Sequence, residues 1–193
     1  MSRSNVKPVV AGLAVAVLLA LPAVGGGRRT PAVVAVRVLQ PGGSAEIATG
    51  VVVAPGRVMT VAHVLDGGRR IEVADARATV VRARPGQDLA LLAAPGVAGP
   101  EVRYGAATGS VRVLLRGGAR PALLRRRIVA QLTDQPGHPR RAALELGVRV
   151  APGDSGAPVV DADGDVVGIV FARSTRRDGT AYAVRTDVAG VVP

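Results

Sequence analysis

Three side chains suited to nucleophilic hydrolysis occur in this chain of 193 residues. A serine nucleophile requires a base that takes its proton and a carboxylate that orients the base. It also requires backbone N–H groups that stabilise the developing oxyanion. The candidates are Ser155 for the nucleophile, His63 for the base and Asp88 for the carboxylate.

Ser155 lies in the glycine-flanked segment GDSGAPVV, which begins at Gly153 and leads into a hydrophobic run. Glycines let the backbone bend, so that the N–H groups of Gly153 and Ser155 can converge on one oxygen. The same residue types also favour ordinary turns. The segment alone therefore does not separate a catalytic serine from a loop serine.

Only one of the two histidines lies next to a predicted buried strand, which would hold a catalytic base in a fixed position. His63 ends an apolar run, whereas His138 lies in a polar turn. Asp88 leads directly into an apolar run, where a carboxylate is costly unless it is hydrogen-bonded. Asp66 and Asp75 are rival carboxylates, but both lie among Gly or Arg in predicted loops.

The order His, Asp, Ser along the chain discriminates between families of hydrolases. The α/β-hydrolase elbow requires the motif G-x-S-x-G and the order Ser, acid, His. Here Ala157 stands at the last position of that motif, and both histidines precede Ser155. The sequence therefore argues against an α/β-hydrolase.

The elements that must position these residues are predicted to be short strands. Hydrophobic residues make up 48% of the chain and aromatic residues only 2%, so the core consists of Val, Leu, Ile and Ala, and its β-branched members favour strands. The strands predicted in the first half are Val33–Leu39, Ile47–Val53, Arg57–Thr60, Ile71–Val73, Ala78–Arg84 and Leu89–Ala93. Those predicted in the second half are Val111–Leu115, Arg127–Leu132, Ala142–Leu146, Pro158–Val160, Val166–Val170 and Thr180–Val184. A short helix over Asp187–Val191 is predicted after Thr186, a possible N-cap.

The formal net charge is +11, and Lys7 is the only lysine. This charge could attract anionic partners, or it could reflect a composition rich in Arg, Ala, Gly and Val. Nucleic-acid binding is not predicted, because no aromatic residues interleave with the basic runs. The run Arg125–Arg127 is interpreted as a solvated face. No cysteines are present, which excludes disulfides and thiolate chemistry, and no metal or cofactor is predicted.

The N-terminus predicts export. Arg3 and Lys7 precede the uncharged segment Val9–Val24, the order found in export signals. Its 16 residues would span about 24 Å as a helix, which is less than the roughly 30 Å of a hydrocarbon core. Residues 1–27 are therefore predicted to be either a cleaved signal peptide or a retained membrane anchor. Both alternatives place the remaining chain outside the cytoplasm.

The segments Thr60–Val64, Asp88–Leu92 and Gly153–Val160 resemble the three signature blocks of the chymotrypsin–trypsin family of serine endopeptidases. The resemblance implies an all-β fold of two six-stranded antiparallel β-barrels, with the triad in the cleft between them. It covers the chain from about Pro31 onward, and a protease domain is predicted over 28–193. The first barrel is predicted at about 31–95 and the second at about 108–185.

A narrower resemblance links Thr49–Val64 and Val166–Val184 to the protease domain of actinobacterial membrane-anchored periplasmic serine proteases. The family resemblance assigns His63 as general base, Asp88 as its orienting partner and Ser155 as nucleophile. It implies that Gly153 and Ser155 supply the oxyanion donors. Ala157 departs from the family pattern, in which a second glycine follows the nucleophile.

The resemblance also implies which residues bind the substrate. Phe171, Ala172 and Arg173 are expected to pair with the substrate backbone. Arg149 stands six residues before Ser155, where family members that cleave after Arg or Lys carry an acid. A cation there would repel a basic P1 side chain, so a small, apolar or acidic P1 residue is predicted.

The predicted function is hydrolysis of peptide bonds in exported or cell-envelope proteins, through an acyl-enzyme. The alternative is a catalytically silent binding protein of the same fold, which docks anionic envelope partners through its arginines. An esterase that uses the same three residues is a third possibility. The oligomeric state is not predicted.

Overall fold

Two closed barrels of six antiparallel strands each make up the fold. The computed structural model describes residues 30–131 and 139–188, and its barrels confirm the all-β prediction. The predicted export segment, His138 and most of the predicted helix Asp187–Val191 lie outside the described residues.

The first barrel is closed in the order β1-β2-β3-β6-β5-β4. Its strands are β1 (Val33–Leu39), β2 (Ala45–Ala54), β3 (Arg57–Thr60), β4 (Arg70–Val73), β5 (Ala76–Arg84) and β6 (Leu89–Ala93). Val, Leu and Met side chains on the inner faces of β1, β2, β3 and β6 are fully buried. Pro55 and Gly56 form the tight turn between β2 and β3, and Gly56 has the positive φ of +70° that such a turn requires.

The second barrel is closed in the order β10-β11-β12-β9-β8-β7. Its strands are β7 (Val111–Leu115), β8 (Gly118–Ala130), β9 (Arg141–Gly147), β10 (Pro158–Val160), β11 (Val166–Arg173) and β12 (Thr180–Arg185). The prediction Arg127–Leu132 was wrong for β8, which begins nine residues earlier, at Gly118. Pro121 and the arginine run hide this strand in the sequence, because its side chains are mostly exposed and the strand forms through pairing with β7 and β9.

One hydrophobic cluster extends across both barrels. Val36, Val58 and Leu92 of the first barrel belong to the same cluster as Ile169 and Phe171 of the second. A second cluster fills the second barrel alone. Burial of apolar side chains at this interface stabilises the relative position of the two barrels, and residues at their junction can therefore form one site.

The connection between the barrels touches both of them. The N–H of Val102 donates to the Val53 carbonyl at 3.0 Å, and the N–H of Val166 donates to the Arg103 carbonyl at 2.8 Å.

Within the described parts of the chain, no helix has the length and hydropathy needed to cross a bilayer.

Candidate active site

His63 and Asp88 are brought together inside the first barrel. The Nδ1 atom of His63 lies 2.8 Å from Oδ2 and 3.0 Å from Oδ1 of Asp88. The backbone N–H of His63 donates to Oδ1 at 2.9 Å. The carboxylate therefore holds both the imidazole and the backbone of the same residue, which fixes the tautomer that leaves Nε2 free to accept a proton.

Two short turns carry this pair at the ends of neighbouring strands. His63 opens a 3-10 turn, His63–Leu65, shortly after β3 ends, and Asp88 follows another, Pro85–Gln87, directly before β6. The N–H of Ala62 donates to the Asp88 carbonyl at 3.1 Å. Asp88 has a φ of +56°, a left-handed conformation that Asp tolerates better than most side chains.

The surroundings of His63 raise its pKa overall. Burial lowers this pKa, but the hydrogen bond to Asp88 and the charges of Asp88 and Glu46 raise it by more. The positive charge of Arg141 acts in the opposite direction. The imidazole is thus a stronger base than a free histidine. The rival carboxylates Asp66 and Asp75 are both exposed.

Ser155 lies half-buried on the loop between β9 and β10. The Ser155 carbonyl accepts a hydrogen bond from the N–H of Thr49, in β2, at 2.8 Å, and the Gly153 carbonyl accepts one from Thr49 Oγ1 at 2.7 Å. Thr49 therefore docks this second-barrel loop onto the first barrel. Within the described residues, the Ser155 hydroxyl makes no hydrogen bond. The hydrogen bonds of the His63 ring in this part of the chain are to Asp88.

Thr60 extends this contact toward His63. The Thr60 hydroxyl, Oγ1, donates to the Thr49 carbonyl at 2.7 Å. Thr60 is three residues before His63 in the chain. A Cβ on Gly156 would lie 2.6 Å from Thr60 Oγ1 and would overlap the Thr49 carbonyl oxygen. Only glycine therefore fits after Ser155, and the close approach brings Ser155 to the end of β3 that carries His63.

The predicted oxyanion loop is held by internal hydrogen bonds. The Asp154 carboxylate accepts the N–H of Ala151 at 2.8 Å, and the Asp154 N–H donates to the Ala151 carbonyl at 3.1 Å. Gly153 has a φ of +92°, which a side chain would strain. The fully buried Ala157 donates its N–H to the Asp154 carbonyl at 3.0 Å.

The segment Phe171–Arg173 presents an edge beside this loop. Pairing of β11 with β10 runs from Val166 to Ile169, and Val170 bonds to the Ser155 loop. Ala172 and Arg173 pair with β12 on one side. Their other edge is unpaired among the described residues, so an extended peptide could add to it as a strand.

Arg149 lines a groove of about 460 Å³ next to the same edge. Its guanidinium forms an ion pair with Asp178, and both side chains are exposed. Arg173 and Arg120 also line this groove, and the Arg149 carbonyl accepts a hydrogen bond from Arg120 at 3.0 Å. The groove is therefore basic overall, although Asp178 offsets the charge of Arg149.

Sequence reasoning missed several residues of this region. It gave no role to Thr49, Asp178 or Arg141, whose partners lie far away along the chain. The arginine run is also more than a solvated face, because Arg126 Nη2 lies 2.9 Å from a carboxylate oxygen of the buried Glu145. Within the same run, Arg127 donates to the Ala107 carbonyl at 2.9 Å.

Comparison with known proteins supports one family. A family model described as a trypsin-like peptidase domain matches residues 48–169. The serine protease Rv3671c of Mycobacterium tuberculosis is 35% identical over 178 residues, which cover 83% of this chain and 45% of that protein. The chain thus spans about half the length of the curated relatives it matches.

Solved structures are similar over most of the chain. The active form of the Rv3671c protease has a TM-score of 0.72 and 29% identity, covering 95% of this chain and 90% of the other. The HtrA-type protease AlgW with a tripeptide has a TM-score of 0.67 and 25% identity, covering 82% of this chain and 57% of the other.

Proposed function

The chain belongs to the trypsin-like peptidase family, and on this premise we propose that it is a serine endopeptidase in which His63, Asp88 and Ser155 form the catalytic triad. The observation that carries the proposal is the His63–Asp88 pair, 2.8 Å apart, next to a glycine-flanked serine loop that docks on Thr49. An imidazole held by a buried carboxylate, with its other nitrogen left free, is what a serine nucleophile needs.

In the proposed reaction, His63 Nε2 takes the proton of the Ser155 hydroxyl as Ser155 Oγ attacks the peptide carbonyl carbon. The N–H groups of Gly153 and Ser155 stabilise the oxyanion. His63 then protonates the leaving amine, which departs and leaves an acyl-enzyme. Water, deprotonated by His63, attacks the ester and releases Ser155. The hydrogen bond between Ser155 and His63 is expected to close when substrate binds, because such contacts tighten in the Michaelis complex.

The proposed substrate is a polypeptide bound in extended form. Its backbone would pair with the free edge of Phe171, Ala172 and Arg173, and its P1 side chain would enter the groove beside Arg149. Because three arginines and one aspartate line that groove, an acidic P1 side chain would gain attraction there, and a basic one would be repelled. We therefore propose a preference for acidic or small P1 residues.

The proposed setting is extracytoplasmic, either secreted or anchored in the cytoplasmic membrane through the N-terminal segment. The basic start followed by an uncharged apolar run supports this setting. Exported or cell-envelope proteins would then be the natural substrates.

The test is cleavage of an unbiased peptide library, read by mass spectrometry, for the wild type, Ser155→Ala and Ser44→Ala. Ser44 is exposed in a loop of the first barrel, so it serves as the matched control. We expect cleavage by the wild type and Ser44→Ala, and a loss of at least about 10⁴-fold in Ser155→Ala. Hydrolysis of simple esters without any peptide cleavage would assign an esterase. Salt-sensitive binding of acidic polymers without any hydrolysis would favour a silent binding protein.

Products of the same library also test the P1 preference. Rapid cleavage after Arg or Lys would contradict the proposed role of the groove. Asp178→Asn is expected to increase the preference for acidic P1 residues several-fold, because it leaves Arg149 without its ion-pair partner.

A further inference from the structure

A buried arginine of the second barrel reaches the carboxylate that holds His63. Arg141 is the first residue of β9 and is only 2% exposed. Its Nη1 lies 2.9 Å from Asp88 Oδ2, at ion-pair distance. Nε and Nη1 find no aligned hydrogen-bond acceptor among the described residues, so this contact is electrostatic rather than a well-directed hydrogen bond.

Because both side chains are buried, the ion pair between Arg141 and Asp88 affects the energy of each charged group. Arginine stays charged in proteins, and a buried charge is costly unless an opposite charge lies close to it. Asp88, which is also buried, provides that opposite charge. The Asp88 carboxylate thus lies between His63 of the first barrel, whose imidazole and backbone N–H it binds, and the Arg141 guanidinium of the second.

Two further features define the surroundings of Arg141. Pro139, two residues before it, lies near the turn that carries Asp88, since a Cβ added to Gly86 would be 3.7 Å from Pro139 Cγ. The guanidinium of Arg141 also lies over the Phe171 ring, 5.2 Å from its centre. The cation is therefore held between the Asp88 turn and the first residue of the proposed substrate-binding edge.

We propose that Arg141 is a positioning residue: it fixes the Asp88 carboxylate from the second barrel and limits how strongly that carboxylate draws a proton onto His63. This inference rests on the proposed function, because it concerns the base of that reaction. A carboxylate shared with a fixed cation attracts the imidazolium less than one that faces His63 alone. The base then stays neutral, and competent to take the serine proton, at a lower pH than it otherwise would.

Charges around His63 agree with this role. Asp88 and Glu46, on β2, favour the protonated imidazole, whereas Arg141 lowers the His63 pKa. Removal of Arg141 leaves both acidic groups in place and takes away the cation that opposes them.

The test compares Arg141→Met with the wild type in a His138→Gln background, where His63 is the sole imidazole. Titration of His63 by ¹⁵N NMR is expected to shift upward by about one pH unit. The acid limb of kcat/KM should move by the same amount, because the reaction needs the neutral imidazole. A purely structural role would lower the amount of folded enzyme without moving either titration.

Two controls define the result. Arg141→Lys keeps the charge and is expected to show only a small part of the shift. Arg126→Met removes an arginine whose partner is Glu145 rather than Asp88, and it should leave both titrations in place. A folded Arg141→Met protein that titrates like the wild type would contradict the proposal. Should it fail to fold, Arg141→Gln takes its place with the same expected shift, and failure of both to fold would count against the proposal.

The NMR measurement separates this inference from the proposed function. A shifted titration in a protein that cleaves nothing would support the coupling of Arg141 to His63 while the proposed peptidase fails. An unchanged titration in an active peptidase would do the reverse.

Discussion

The two barrels contribute to the candidate site in different ways. The first barrel holds His63 and Asp88 as one hydrogen-bonded pair, between turns that end β3 and precede β6. The second barrel presents Ser155 on a loop in which Gly153 and Gly156 both have positive φ. The His63–Asp88 pair is thus formed within the first barrel. The position of Ser155, a residue of the second barrel, depends on contacts with the first barrel.

This difference indicates how the site is assembled. The hydrogen bonds that orient His63 lie within the first barrel. The serine loop is fixed when Thr49 binds its Ser155 and Gly153 carbonyls. We expect changes in the first barrel to impair proton transfer, and changes at the docking contact to impair both the serine position and the barrel interface.

Asp88→Asn breaks the first-barrel pair and should have the largest effect. An amide favours the wrong imidazole tautomer, so kcat should fall by about 10⁴-fold. Stability should also fall, by about 3–5 kcal/mol, because Arg141 is left buried without a counter-charge. The exposed Asp66→Asn is the control for peptidase assays and thermal unfolding. Retention of a tenth of the wild-type activity by Asp88→Asn would refute the assigned role.

Gly156→Ala breaks the docking of the serine loop. The added Cβ would overlap the Thr49 carbonyl oxygen, so we expect a loss of about 100-fold in kcat/KM and a lower Tm. Gly96→Ala is the matched control, with a similar φ of +86° and no atom within 4 Å of the added Cβ. It should cost about 1 kcal/mol through backbone strain and leave kcat/KM unchanged. Equal effects of the two substitutions would show that strain, not docking, matters.

Thr49→Val tests the same contact more gently. It removes the hydrogen bond from Oγ1 to the Gly153 carbonyl and keeps the backbone contact with Ser155. Loss of one buried hydrogen bond should cost about 1–2 kcal/mol and lower kcat/KM about tenfold, and Thr49→Ser should restore most of both. Chemical denaturation and steady-state kinetics measure these changes. A normal kcat/KM for Thr49→Val would separate docking from catalysis.

The smallest expected effect is on the pH dependence of kcat/KM. Because the pKa of His63 is raised, kcat/KM should fall as the pH drops, with an apparent pKa above the ordinary value of about 6.5. Glu46→Gln removes one charge that raises this pKa, so the acid limb should move down by less than about half a unit. An acid limb below pH 6.5 in the wild type would contradict the balance of charges around His63.

Local patterns predicted most of the strands and pointed to the candidate residues. Buried strands such as Leu89–Ala93 are visible as apolar runs, and the glycines around Ser155 signal a sharp turn. The first half of β8 was missed, because its strand character comes from its neighbours rather than from its own alternation. Arg141 and Thr49 were missed for a related reason: their importance depends on partners 53 and 106 residues away, which spacing along the chain does not show.

The central claim is that His63 activates Ser155 across the junction of the two barrels. Its most direct test is covalent labelling with a fluorophosphonate, with the site mapped by peptide mass spectrometry and the rate compared in wild type and His63→Ala. The account predicts a single adduct on Ser155 and a labelling rate at least about 10³-fold lower without His63. Labelling at another serine, or at the same rate without the imidazole, would contradict it.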